Sequence, residues 1–334
     1  MKQTIESKKG EIFFRKKLVK YQVEKTEQIE DELNSTEIEN VLQERMGTTI
    51  ADMNYLKSKD VNISFYVEIG AERCQRALVL ENDFTSEGIA VDLSFDMLRS
   101  CDYYSRAFDK KNLPLRICCD ANSLPFKNNS VPFIFTYSTL HHFPDPGIIV
   151  REIERVTSPG GNFFSGVEPV KQWLHMGLYD PGSMYSDKVC ASGNLKKLID
   201  YFFAKKHCTE TRYDIVENDE ISVADWKKAF GVFNIKEMSV HSLKYLNFDL
   251  NSKLQSWLAA MLGGMTKGLF QKPGEQPGEV KTDDILMCLL CKSDIVQGHE
   301  KYFCHKCGQI YPVRDNVVFM LKPESLQEFY PEFI

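Results

Sequence analysis

Apolar residues along this chain gather in short runs, each closing on a polar tip. Ile63–Gly70 (ISFYVEIG) carries Glu68 and Gly70 at its end, Gly88–Asp92 (GIAVD) ends on Asp92, and Leu115–Asp120 (LRICCD) on Asp120. Each run is rich in Ile, Val, Phe or Leu and too short for a helix of ordinary length, so each reads as a buried strand. Val131–Tyr137 (VPFIFTY) is a fourth strand, which Pro132, lacking an N–H, restricts to starting there. Gly147–Thr157 (GIIVREIERVT) sets apolar residues at 149, 153 and 156, one face of a helix. Pro159-Gly160-Gly161 predicts a stop and a turn, and Asn162–Val167 (NFFSGV) a fifth strand with Glu168 and Pro169 at its end. Strand and helix signals alternate from Ile63 to about Val170, which predicts βαβ units and a mostly parallel sheet.

Either side of this region the pattern changes. Residues 1–60 are rich in Glu, Lys and Gln with apolar residues at helical spacing (Ile29, Leu33; Ile38, Val41, Leu42), predicting helices that lead into or cover the sheet. Lys171–Phe270 mixes aromatic and charged residues without a repeat, and Leu254–Leu262, with Trp257 and Met261, reads as a helix. Gln271–Glu279 (QKPGEQPGE) is a Pro/Gly-rich linker. The expected organisation is a helical segment over 1–60, an α/β domain over 61–270 with a substrate-lid insertion at about 171–235, a linker over 271–280, and a small β module over 281–324.

A chain of 334 residues with 43% hydrophobic content has room for such an α/β domain and a smaller companion. Its net charge of −6 argues against a protein built mainly to coat nucleic acid. No apolar run approaches the ~20 residues of a membrane span. The first residues lack the apolar core and cleavage site of a secretory signal, so the expected compartment is the cytoplasm. Ten cysteines in such a chain point to reduced thiols or metal, not a disulfide scaffold.

The acidic tips carry the first chemical inference. In an open parallel sheet the C-terminal strand ends form the ligand crevice. Asp92 there suits a ribose diol, and Asp120 lies near where an adenine would sit. A dinucleotide is excluded: its loop wants Gly-x-Gly-x-x-Gly, only Gly70 is present, and nothing neutralises a diphosphate.

The succession VEIGAERCQ, VDLSFDML, CDANSLPF, FIFTYSTLHHFPDP and EIERVTSPGGNFFSGVEP resembles class I S-adenosylmethionine-dependent methyltransferases, in particular the type 11 group, over about a third of the chain. The resemblance implies a Rossmann-like sheet and S-adenosylmethionine as cofactor. It assigns Glu68, Gly70 and Ala71 to the loop facing the methionine part, Asp92 and Leu93 to the ribose, and Asp120 with Ala121 to the adenine. Tyr137 and the segment to His142 would line the pocket beside the sulfonium. The family's first loop has three alternating glycines; here the second and third are Glu72 and Cys74. A carboxylate at Glu72 either repels the methionine carboxylate or holds its ammonium.

For the transfer itself, a hydroxyl acceptor needs a base. His141 and His142, just past the fourth strand, are placed to supply it; otherwise one packs or caps while the other shapes the pocket. Glu168 either meets an acceptor hydroxyl or sits solvated. Trp173, His175, Tyr179, Tyr185 and Trp226 offer an aromatic acceptor wall or an ordinary core.

Cys288-Leu-Leu-Cys291 and Cys304-His-Lys-Cys307 form two knuckles twelve residues apart, spaced to fold four thiolates around structural Zn²⁺. Two disulfides or a redox pair are the alternatives. A hairpin over Asp294–Phe303 spans the interval. The run from Cys288 to Leu321 resembles the zinc-ribbon subunit that activates tRNA, rRNA and translation-factor methyltransferases, with Asn316 where Gly is usual. That resemblance implies a ribbon packed on its own catalytic domain or on a partner protein. Three functions follow: a methyltransferase for a hydroxyl, amine or carbon of a small molecule or glycan, an RNA or translation-factor methyltransferase, or a non-catalytic scaffold on a degenerate cofactor fold.

Overall fold

The computed structural model describes residues 4–29, 32–172, 218, 220–242, 246–275 and 278–333. Two N-terminal helices come first, α1 (Ile5–Val19), which runs on into a π-helical turn over Lys20–Glu24, and α2 (Ser35–Ser58). Asn34 caps α2, its side chain accepting from the Thr36 and Glu37 N–H groups while Glu37 reaches back to the cap. Ile38 and Leu42 lie on its buried face, whereas Ile29 and Leu33, expected to be helical, fall in the non-helical connector before it.

The central strands follow the apolar runs: β1 (Phe65–Ile69), β2 (Glu87–Asp92), β3 (Leu115–Cys118), β4 (Val131–Tyr137) and β5 (Thr157–Val170). They are parallel and ordered β3-β2-β1-β4-β5. β1 and β4 are buried along their whole length, because helices cover both faces of a parallel sheet. Helix α3 (Gln75–Asp83) follows β1, α4 (Phe95–Arg99) and α5 (Cys101–Ala107) follow β2, and α6 (Pro146–Val156) joins β4 to β5.

β5 departs from expectation twice. Pro159-Gly160-Gly161 do not end a strand-free turn; β5 already pairs Thr157 with Val131, and these residues bulge before Asn162 meets Phe133. A second irregularity falls between Ser165 and Glu168, where Val167 adopts a left-handed φ of +62°. This conformation is costly for a β-branched side chain. It leaves Val167 at the surface and turns Glu168 wholly inward.

Beyond β5 the sheet turns antiparallel, with β6 (Asn234–Ser242), β7 (Leu246–Asp249) and β8 (Gly264–Gln271) in the order β5-β8-β6-β7. Most of the expected lid insertion, with Trp173, His175, Tyr179 and Tyr185, lies outside the described residues. Trp226, on the helix Val223–Phe230, is core and not acceptor wall: it is fully buried, stacks on Phe230 and donates from Nε1 to the Pro169 carbonyl.

The last strands extend the other edge: β9 (Val296–Gly298), β10 (Lys301–Phe303), β11 (Ile310–Arg314) and β12 (Val317–Phe319). β12 pairs in parallel with β3, so the cysteine-bearing segment continues the main sheet. Asp315 and Asn316, with φ of +46° and +59°, make the two-residue turn between β11 and β12. A final α-helix, Pro323–Phe329, and the 3₁₀ turn after it, Pro331–Phe333, return towards α1 through Lys9–Glu328 and Lys16–Glu332 ion pairs respectively. Among the described residues no helix is long and apolar enough to cross a membrane.

Candidate functional site

A cavity of about 280 Å³ opens at the C-terminal ends of β1 to β4. Of the residues singled out from the sequence, Gly70, Asp92, Leu93, Asp120, Ala121 and Tyr137 line it, together with both histidines, His141 and His142. Glu68 and Ala71 are not among the lining residues. The Glu68 carboxylate lies behind the first loop and accepts from the Ala77 N–H at 3.1 Å, while the Ala71 N–H donates to the Val91 carbonyl at 3.0 Å. The roof is α1, which contributes Glu11, Phe14, Arg15 and Leu18.

The first loop retains the backbone of a glycine loop without most of its glycines. Gly70 has φ +72°, and a Cβ there would lie 2.3 Å from the Thr139 hydroxyl, so no other residue fits. Glu72 and Cys74 are also left-handed, at +47° and +60°. Each such conformation costs a non-glycine residue roughly 1–2 kcal/mol. Local bonds offset part of this: the Glu72 N–H donates to Asp92 Oδ2 at 2.9 Å, and the Cys74 N–H to the Ala71 carbonyl at 2.7 Å. The Glu72 side chain turns to Arg45 (3.0 Å) and Arg15 (3.9 Å). Burial would raise its carboxyl, but Arg45, Arg15, Arg73 and Arg76 outweigh burial and hold it well below the ordinary carboxylate range.

The other carboxylates differ in charge state. Burial pushes Asp92 up to about 6 against the pull of the Ser94 and Glu72 N–H groups, which it accepts at 2.8 and 2.9 Å. Burial likewise pushes Glu68 up to about 8 in spite of Arg76 and the Ala77 N–H, and its Oε1 has no partner among the described residues. Asp120 is the converse: burial would raise it, but an ion pair with Lys8 of α1 holds it down.

Glu168 is the best-satisfied group of the site. Fully buried by the bulge in β5, it accepts from the N–H groups of Thr139 (2.9 Å), Leu140 (3.0 Å) and His141 (3.1 Å), and its Oε2 lies 2.8 Å from His141 Nδ1. It therefore neither meets solvent nor points at an acceptor; it fixes the loop after β4 and one histidine ring. With Nδ1 as the donor, the basic nitrogen of that ring is Nε2. The two imidazoles lie 4.2 Å apart, centroid to centroid. Tyr137 donates its hydroxyl to Asp52 at 2.8 Å, and the Arg76 guanidinium sits 4.3 Å from its ring centre, so the tyrosine presents a wall.

At the far end of the sheet the four cysteines of the two knuckles converge. Cys288 and Cys307 Sγ lie 3.5 Å apart, Cys291 and Cys304 Sγ 3.4 Å, and all four sulfurs fall within 4.8 Å of one another. The Tyr311 hydroxyl accepts from the Leu289 N–H at 2.7 Å and donates to Cys288 Sγ at 3.3 Å.

Sequence reasoning missed Arg15, Arg45 and Lys8, which reach the site from the N-terminal helices. It also missed the role of Glu168 and that of Tyr330, whose hydroxyl donates to the Leu93 carbonyl (2.7 Å) and accepts from the Phe95 N–H (3.0 Å). Charged residues on a polar helix give no signal of what they face, and a strand bulge leaves no mark in the alternation of residues.

Comparison with known proteins bears on this geometry. Residues 67–165 match the family described as a methyltransferase domain. An uncharacterized chloroplastic methyltransferase of Arabidopsis thaliana is 36% identical over 91 residues, 26% of this chain and 25% of that protein. A malonyl-[acyl-carrier protein] O-methyltransferase of Alcanivorax borkumensis is 38% identical over 78 residues, 23% of this chain and 25% of that protein. The chain thus spans about a quarter of the length of either relative. A chain from the complex of the Haloferax volcanii Trm112 methyltransferase activator with a methyltransferase shares 16% identity, with a TM-score of 0.38 over 65% of this chain and 85% of that one. The matched segment falls within the region that resembles a methyltransferase in sequence.

Proposed function

We propose that this chain is an S-adenosylmethionine-dependent methyltransferase acting on a small molecule or glycan, with a structural zinc held by its four C-terminal cysteines. The observation that carries the reading is the cavity at the sheet's C-terminal edge, with Asp92 and Asp120 on successive strand ends, inside the segment that matches a methyltransferase domain. The bound cofactor supplies an activated methyl group on a cationic sulfur. Asp92 accepts hydrogen bonds from the ribose hydroxyls, and Asp120 with Ala121 meets the adenine, sharing the carboxylate with Lys8. Gly70 lets the first loop pack against Thr139, whose side chain leaves no room there for a Cβ. His141, oriented by Glu168, takes the proton from a hydroxyl acceptor through Nε2, and the Tyr137 ring walls the reacting centre. The alignment these residues enforce is the larger part of their contribution to rate.

Four thiolates at the observed separations suit tetrahedral zinc, and a full set of four leaves no open position for catalysis. The net charge of −6 supports a small acceptor over RNA. Calorimetry with S-adenosylhomocysteine tests the reading: saturable heat is expected, and none at millimolar ligand leaves a non-catalytic scaffold. A screen of metabolites and RNA for labelled methyl incorporation then assigns the acceptor. Steeply salt-dependent RNA binding would redirect it to nucleic acid.

A further inference from the structure

The charged departure from the expected loop, Glu72, stands among arginines drawn from three helical elements. Arg15 comes from α1, Arg45 from α2, and Arg76 from α3; Arg73 belongs to the loop itself. Three of these have further contacts, Arg73 with Gln22, Arg76 over the Tyr137 ring and Arg15 over the Phe14 ring. Arg45 is different: it is 40% exposed, lines the cavity, and meets Glu72 Oε2 at 3.0 Å. Glu72 is itself 25% exposed, and its N–H is bonded to Asp92. A nucleoside held at Asp92 therefore has the Glu72–Arg45 pair as the neighbour of its ribose.

We infer that Glu72 and Arg45 form a clamp for the zwitterionic amino-acid end of the cofactor, the carboxylate taking the ammonium and the guanidinium, assisted by Arg15, taking the α-carboxylate. The inference rests on the cofactor reading proposed above. Its physical basis is charge matching. A glycine loop offers an amino acid only neutral backbone N–H and C=O groups, with no opposite charge for either end. Here one acidic and one basic side chain already lie side by side, so a zwitterion entering between them turns one ion pair into two without adding net charge to a partly buried site. Bidentate geometry makes arginine suited to the carboxylate half. The same clamp explains why the loop tolerates a strained φ at Glu72: the side chain there is used. A nucleoside lacking the amino-acid end gains nothing from the pair.

The test compares S-adenosylhomocysteine with 5′-methylthioadenosine, which shares the thioether nucleoside and lacks the amino acid. Both are titrated by calorimetry into the full-length protein and into Arg45→Gln, Glu72→Gln and Glu72→Gly, with thermal unfolding of each variant as the control for folding. Affinity for S-adenosylhomocysteine is expected to fall at least tenfold in each variant, while that for methylthioadenosine stays within twofold. Equal losses for both ligands, or no loss for either, would overturn the clamp and leave the cofactor reading standing. Tighter S-adenosylhomocysteine binding by Glu72→Gly would also overturn it, because the carboxylate would then oppose the ligand. If the unaltered protein binds methylthioadenosine but not S-adenosylhomocysteine, the clamp fails alone; if it binds neither, the cofactor reading fails with it.

Discussion

Burial moves two carboxyl groups at the sheet edge above the ordinary carboxylate range, and each makes the molecule pH-sensitive in its own way. Glu68, ordinarily near 4.5, titrates at about 8 in the folded chain because burial disfavours its charge. The folded state thus binds this proton more tightly than the unfolded state, so stability is lost as pH rises from about 4.5 to about 8. Glu68→Gln keeps an acceptor for the Ala77 N–H and removes the ionisation. Its midpoint temperature should gain on the parent more at pH 8.5 than at pH 5; an equal difference at both would rule out an ionising Glu68. Asp92 acts on the ligand instead. With its transition at about 6, its acceptor capacity for ribose hydroxyls declines as pH falls through that value, and S-adenosylhomocysteine should bind more weakly at pH 5 than at pH 7.5. Asp92→Ala should cost at least tenfold in affinity, about 1.4 kcal/mol, without unfolding the protein.

At the scale of elements, the site is assembled by segments that clamp one another. The bulge in β5 delivers Glu168 to three consecutive backbone N–H groups after β4, so one carboxylate sets a loop and a histidine together. Glu168→Gln preserves the shape but replaces one acceptor oxygen by a donor. Denaturant unfolding should show a loss of about 1–3 kcal/mol, the cost of leaving buried donors unsatisfied. Little or no loss would mean that the loop holds its form without the carboxylate. The final helix plays a comparable part for the loop after β2. Tyr330→Phe removes the hydroxyl that bonds both Leu93 and Phe95, and S-adenosylhomocysteine should bind the variant more weakly because Leu93 lines the cavity.

For the whole molecule, the consequence lies in one continuous sheet. β12 covers the edge of β3, whose end carries Cys119 and Asp120 into the cavity, and the Met320 N–H donates to the Cys118 carbonyl at 2.9 Å. A strand edge left open this way would be exposed to pairing with other chains. The four-cysteine cluster stands at the root of the hairpins that present β12. Chelation or Cys304→Ser should release about one zinc per chain and raise amide exchange first at 296–319, then along 115–118. Exchange unchanged at both segments after metal loss would separate the cluster from the sheet.

Much of this was legible beforehand. The strand runs, the helix expected over 147–157 and found over 146–156, the acidic strand tips and the cysteine spacing all come from local pattern, because apolar run length and knuckle spacing are properties of neighbouring residues. The left-handed backbone at Glu72 and Cys74, the inward turn of Glu168 at Val167, the arrival of Arg15 and Arg45 over the cavity and that of Lys8 at Asp120 were settled only by tertiary structure. They depend on which distant segments pack together, and a charged residue on a polar helix carries the same local pattern whether it faces water or a carboxylate.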